Sequence, residues 1–207
     1  MKYISHLDFV RMFHRAVRRA GLPMSYSHGF NPHPVMTVAM PLSVGVTSDG
    51  EYLKIGLEGD FSEAEIKEAL NKALPAGFLI KAAAKVEGKE LDFSKLDRAE
   101  YLVSAELEEP YLPDIEDFLK NDEILVMKRS KSGVREADIK PYIYGLDVCG
   151  TDGNIITFSM LLAAGNKYNL KPETVLEAVS KYRGEFKPDF ISVHRKRILA
   201  GDKEYLR

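Results

Sequence analysis

Leu7, Val10, Phe13, Ala16 and Val17 recur at the three- and four-residue spacing that lines up one face of a helix, which predicts a helix over residues 8–20. Ser5 stands where an N-cap belongs, and Gly21 followed by Pro23 ends the pattern. A second amphipathic segment spans 62–74. Ser62 and Glu65 form a capping-box pair there, and Ile66, Ala69, Leu70 and Leu74 make the apolar stripe. Between and after these helices the pattern turns extended. Residues 24–27, 35–40, 51–57 and 78–86 read as strands, with 41–49 as a loop and only 2–4 available for a leading strand. Residues 1–88 therefore predict a ferredoxin-like β-α-β-β-α-β order whose first strand is short or missing.

Residues 87–97 are charged and read as a linker, after which a similar order returns. Strands are predicted over 99–107, 124–128, 134–149 (bent at Pro141), 155–163 and 190–199, with helices over 112–119 and 172–182 and a turn at Asp152-Gly153. The fold class is α+β: two tandem ferredoxin-like units, 1–88 and 98–207, with antiparallel sheets carrying helices on one face. The two halves share no sequence repeat.

Composition narrows the chemistry. With 45% apolar and 29% charged residues the chain has the balance of an ordinary globular protein. Its apolar runs are too short to cross a bilayer, and the N-terminus lacks the apolar core of a signal peptide. Cys149 is the only cysteine, so an intramolecular disulfide, a multi-cysteine zinc site and a thiolate-held cluster are excluded within this chain. These features predict a cytoplasmic protein without a membrane partner and without a cofactor of its own. Net charge is −2, but its distribution is uneven. Residues 1–40 hold Lys2, Arg11, Arg15, Arg18 and Arg19 against Asp8 alone, whereas 87–123 hold 13 acids against four bases.

The richest stretch is Tyr26-Ser27-His28-Gly29-Phe30-Asn31-Pro32-His33-Pro34. Two prolines forbid a helix there and bias their preceding residues to extended backbone. Tyr26 and Phe30 offer stacking faces beside the guanidinium groups of Arg11, Arg15, Arg18 and Arg19. Aromatics plus arginines next to a constrained loop suit single-stranded or structured RNA, and DNA is not expected. His6, Asp8, Asn31 and His33 would fix the loop and read polar edges; Ser27, Gly29, Pro32 and Pro34 complete the candidate binding set. The alternative reading is that Asn31 and His33 only satisfy backbone groups of a kinked loop and the arginines make a solvated helix face. No histidine pair has metal-ligand spacing, and Ser5, His6 and Asp8 lie too close in sequence to form a catalytic triad. Two further basic stretches, residues 128–133 and Arg195-Lys196-Arg197, read as a hairpin tip and an edge-strand face. No Walker loop, GxGxxG or HExxH motif is present.

Ser5-His6-Leu7-Asp8, the arginine-rich run to Arg18-Arg19-Ala20-Gly21-Leu22-Pro23, the 26–34 motif, Pro41-Leu42-Ser43-Val44-Gly45-Val46 and Glu51-Tyr52-Leu53 together resemble the radical-SAM-linked protein family. Arg135-Glu136-Ala137-Asp138-Ile139-Lys140-Pro141 and Ala163-Ala164-Gly165 resemble its second half. The resemblance implies a domain fused to, or encoded beside, a cobalamin-binding radical SAM enzyme. It also implies a further strand before the Ser5-His6-Leu7-Asp8 motif, where this chain has only a few residues. Radical SAM chemistry needs three thiolates, so this chain would be a partner of that enzyme and not the enzyme itself. The first functional expectation is a non-catalytic module that presents an RNA or ribosome-linked substrate to the radical SAM enzyme or docks with it. The alternatives are an RNA-processing or RNA-modifying enzyme, endonuclease-like or pseudouridine-synthase-like, using His6, His33 or Asp8, and a pure protein–protein adaptor.

Overall fold

The computed structural model describes residues 2–86, 92–130, 133–182 and 184–204, with only the backbone at 129 and 130. The chain divides into two compact units, Met1–Gly45 with Glu51–Phe93, and Val46–Gly50 with Ser94–Arg207. It is an α+β protein. Among the described residues no helix is long and apolar enough to cross a membrane.

The first unit is built on two helices. Helix α1 (His6–Arg19) starts at Ser5, whose hydroxyl accepts from the Asp8 amide at 3.2 Å. It buries Phe13, Ala16 and Val17 and ends with Arg18 and Arg19, cations that suit the negative end of the helix dipole. Helix α2 (Glu63–Ala73) opens with the predicted capping box. The Ser62 amide donates to Glu65 Oε2 at 2.8 Å and the Glu65 amide to Ser62 Oγ at 3.3 Å. Val17, Leu22 and Leu70 form the centre of the core, ringed by Met24, Ile55, Phe61 and Ile66. Phe9, Phe13 and Phe78 extend it as an aromatic trio with centroids 4.8–6.3 Å apart.

The sheet of this unit is smaller than expected. Strands β1 (Met36–Val38) and β3 (Leu53–Ile55) pair antiparallel, Thr37 opposite Lys54. Single bridges join Met24 to Leu57 and Tyr26 to Pro34. Residues 2–4 and 78–86 form no strand, although the mostly apolar run 78–86 predicts one. Side chains of helix α2 take backbone groups of Ile80 and Lys85 instead. Asn71 accepts from the Ile80 amide at 2.7 Å and donates to the Ile80 carbonyl at 3.0 Å, and Glu63 accepts from the Lys85 amide at 3.0 Å. Backbone groups satisfied by side chains need no neighbouring strand.

The second unit carries the larger sheet. Strand β4 (Arg98–Leu107) lies at its centre, and Ala99, Tyr101, Val103, Ala105 and Leu107 point to the buried face at period two. Strand β8 (Ile155–Ala163) matches it with Ile156, Phe158, Met160 and Leu162. Helix α4 (Pro172–Tyr182) buries Val175, Leu176, Ala178 and Val179, and Phe186 meets Phe158 edge-on at 5.8 Å. With β7 (Ile143–Asp152), β9 (Pro188–Ala200) and β10 (Lys203–Glu204) the order is β10-β9-β4-β8-β7. Helix α3 (Ile115–Leu119) starts three residues later than predicted, capped by Asp114, because Pro113 holds Leu112 extended. A separate hairpin, β5 (Leu125–Ser130) with β6 (Gly133–Asp138), is inserted before β7. The tight turn after β7 falls at Gly153-Asn154, one residue beyond the predicted pair.

One strand lies where the pattern predicts a loop. Strand β2 (Thr47–Ser48) falls within the 41–49 connection and pairs parallel with β9, Thr47 opposite His194 and Ser48 opposite Arg195. Residues 46–50 thus belong to the second unit. Part of the predicted linker, 87–91, lies outside the described residues; Phe93–Lys95 form a 3₁₀ turn.

Candidate functional site

The candidate residues of the first unit fall into three places. At the start of α1, Ser5 Oγ donates to Asp8 Oδ2 at 2.7 Å and Arg11 lies 3.5 Å from Asp8 Oδ1. Asp8 is thereby engaged in capping its own helix. Along the helix Arg11, Arg15 and Arg18 stand at i, i+4 and i+7, all exposed. Among the described residues neither Arg15 nor Arg18 meets an acid, so their charges face solvent unopposed. Arg19 differs: it donates to the Ala73 carbonyl at 2.7 Å and caps the end of α2.

The 25–35 segment is a closed excursion. The Val35 amide donates to the Ser25 carbonyl and the Ser27 amide to the His33 carbonyl, each at 2.8 Å. Ser27 Oγ then accepts from the His33 amide at 3.0 Å. Its base is stitched to the chain at Gly56, which accepts from the Ser25 amide at 2.9 Å and donates to the Val35 carbonyl at 2.8 Å. A Cβ on Gly56 would stand 3.1 Å from Val35 Cβ and 3.2 Å from Ser25 Cβ, so the three segments meet there because that residue has no side chain. Beyond this closure Gly29 turns the chain with φ +130°. Tyr26 is 54% exposed and Phe30 is fully exposed at the tip. His6, Asn31, Pro32 and His33 are exposed, and Pro34 is half-buried. Among the described residues no hydrogen bond or ion pair joins α1 to the loop, and His6 does not meet His33.

The family model described as "Uncharacterized protein conserved in bacteria (DUF2344)" matches residues 1–172, a span that includes all of these residues. The chain belongs to this family. No curated protein matches it. Among solved structures it is similar to a chain of the "Crystal Structure of a Cbf5-Nop10-Gar1 Complex", at 12% identity and a TM-score of 0.47, with 96% of this chain and 45% of that chain covered. The chain thus spans less than half the length of that structure's chain, and a likeness of this size fixes neither fold nor activity.

In this DUF2344 member four features escaped the sequence pattern. A groove of about 650 Å³ in the first unit is floored by Leu22, Phe61 and Ala69 and rimmed by Arg19 and Lys72. Its acids are already engaged: hydrogen bonds from Ser62 hold the Glu65 carboxyl below its usual range, and Lys72 does the same for Glu68. In the second unit Lys128, part of the basic tip, donates to the Tyr168 hydroxyl and lies 3.8 Å over its ring, while Tyr168 stacks on Tyr142 at 3.5 Å. That lysine is committed internally. Lys196 and Arg197 both bind Glu100, Lys196 at 3.1 Å. Burial pushes the Glu100 carboxyl up, but the two cations outweigh it and hold it below the usual range. The fourth feature joins Thr47, Asp49 and His194, residues too far apart in sequence for any motif to show. Among the described residues no group of three or more His, Cys, Asp or Glu is placed to hold a metal.

Proposed function

We propose that the first unit is a docking surface for single-stranded RNA and acts as a non-catalytic binding module. The carrying observation is Phe30, fully exposed at the tip of an excursion closed by its own hydrogen bonds. Burying a phenylalanine contributes about 1.5–3 kcal/mol that this position forgoes in the free protein. A ring held out by a closed loop loses little freedom when a base stacks on it. The unopposed guanidinium groups of Arg15 and Arg18 supply the charge that a phosphate backbone needs. Neither Asp8, occupied by Ser5 and Arg11, nor the separated His6 and His33 forms an acid–base pair, which favours binding over RNA cleavage at this face.

The radical SAM partner follows from the family resemblance: the module would present an RNA or ribosome-linked substrate to that enzyme or dock with it. The strand order of the second unit supports the finer fold reading there. Taking β4, β7, β8 and β9 as its first to fourth strands, the order is fourth-first-third-second, with α3 after the first and α4 after the third. This order matches what a ferredoxin-like unit with the β5–β6 hairpin inserted would have.

Fluorescence anisotropy with a labelled single-stranded RNA of mixed sequence tests the binding. Affinity should fall with salt, and the slope of log K against log salt should shrink by about 1.4 in Arg15→Ala/Arg18→Ala, at about 0.7 for each phosphate no longer neutralised. Binding that ignores both salt and the arginines would discard the RNA reading and favour a protein adaptor.

A further inference from the structure

Strand β2 brings a turn from residues 47–50 against the outer edge of β9. Thr47 lies directly opposite His194. The Asp49 amide donates to the Arg195 carbonyl at 3.0 Å, Ser48 Oγ donates to the same carbonyl at 2.9 Å, and the Gly50 amide donates back to Ser48 Oγ at 3.2 Å. At Gly50 a Cβ would fall 2.7 Å from the Lys196 carbonyl oxygen and 3.1 Å from Arg197 Cα. The turn is therefore pressed against the β9 backbone and returns Asp49 toward the same ring that Thr47 meets.

The result is a hydroxyl, an imidazole and a carboxylate in series. Thr47 Oγ1 is 2.8 Å from His194 Nδ1, and Asp49 Oδ2 is 3.2 Å from His194 Nε2. A carboxylate only accepts, so in the neutral ring the proton sits on Nε2 and Nδ1 accepts from the Thr47 hydroxyl. A hydroxyl bonded to a base that a third group orients is the arrangement that activates a nucleophile. The His194 side chain is 31% exposed and that of Asp49 65% exposed, so small molecules reach the site from solvent.

We propose that Thr47, His194 and Asp49 form an acyl-transfer site for activated carboxylic esters or thioesters, separate from the RNA surface. Thr47 Oγ attacks the acyl carbon as its proton passes to His194 Nδ1. The bond to the leaving alcohol or thiol then breaks, and His194 returns the proton to that group. Water attacks the Thr47 ester by the reverse route, releasing the carboxylic acid and restoring the hydroxyl. Thr47 and His194 are the catalytic residues, and Asp49 is a positioning residue acting through the ring.

The probe is p-nitrophenyl acetate, applied to the full chain in a Cys149→Ala background, because the exposed Cys149 thiol would also take up acetyl groups. Nitrophenolate release and peptide mapping of the acetylated protein are followed together. The proposal expects an acetyl group on Thr47, kept in Thr47→Ser and lost in Thr47→Val, which preserves the side-chain shape. His194→Gln should slow Thr47 acetylation by about 10²–10⁴-fold. Asp49→Asn should slow it less, with recovery in Asp49→Glu, which a merely structural role would not produce. No acetyl group on Thr47 above the level of surface lysines, or a rate unchanged by His194→Gln, would overturn it. Should His194→Gln fail to fold, the Thr47→Ser and Thr47→Val pair decides alone.

Discussion

The 25–35 excursion and the 46–50 strip are both short irregular segments held by backbone hydrogen bonds, yet they are held by different things. The excursion is closed mainly by itself: Ser25 with Val35, Ser27 with His33 and one stitch to Gly56. The strip is closed by strand β9, about 147 residues away in the sequence. A self-closed loop can present side chains outward, and Phe30 and Tyr26 do so. A strip fastened to a distant strand can instead bring together groups that no local pattern contains, as it does with Thr47, Asp49 and His194.

The strongest way to break this contrast is to pry each segment from its support. Gly50→Val places side-chain atoms against the β9 backbone, which has no flexible end to give way, and should cost about 2–3 kcal/mol in urea unfolding. Gly56→Val meets the side chains of Val35 and Ser25, which can shift by tenths of an ångström, and should cost about 1–2 kcal/mol. Equal losses would mean that the two segments are held alike.

The next effect separates presentation from support. Phe30→Ala removes a fully exposed ring, so the unfolding free energy should stay within about 0.5 kcal/mol of the parent chain. RNA affinity should nevertheless fall by about 1–3 kcal/mol, the worth of one stacked base. A loss of stability without a loss of affinity would show that Phe30 supports the fold and is not presented to a ligand.

The second unit has its own acid-sensitive fastening. Glu100 has a carboxyl held below the usual range by Arg197 and Lys196, so folding binds fewer protons than the unfolded chain there. Its contribution is present above the unfolded value of about 4.3 and is lost as pH falls through the lower folded value. Glu100→Gln should cost about 1–2 kcal/mol at pH 7 and progressively less below about pH 4. Urea titrations of both proteins from pH 7 to about pH 3 test the sign. A gap that widened on acidification would contradict it.

The sequence is legible where periodicity and chemistry are local. Helices α1 and α2 follow from apolar spacing and from Ser5 and Ser62 as caps, and β4 and β8 follow from their apolar content and partial alternation. The aromatic tip is readable because two prolines and a glycine leave a loop few alternatives. Residues 78–86 mislead because an apolar run reports which side chains can be buried, not which groups meet the backbone; Asn71 and Glu63 engage Ile80 and Lys85. Strand β2 carries no signal at all, since two residues have no period and their parallel partner lies far along the chain. Composition could single out His6, His28 and His33, but only sheet register could single out His194.

The smallest effect bears on the excursion alone. Ser27 Oγ accepts from the His33 amide, and Ser27→Ala leaves that exposed amide to water, so the global cost should be below about 1 kcal/mol. The local consequence differs, because this bond is the side-chain contribution to closing the loop beneath Phe30. Hydrogen exchange at the His33 amide should accelerate while amides of α1 and α2 keep their protection. RNA affinity should then fall by roughly the free energy of the missing closure, although no aromatic ring or arginine has been touched, because the loop must be ordered on binding. Faster exchange at His33 with unchanged RNA affinity would mean that the ring binds equally well from an open loop. The self-closure would then be a feature of folding and not of recognition.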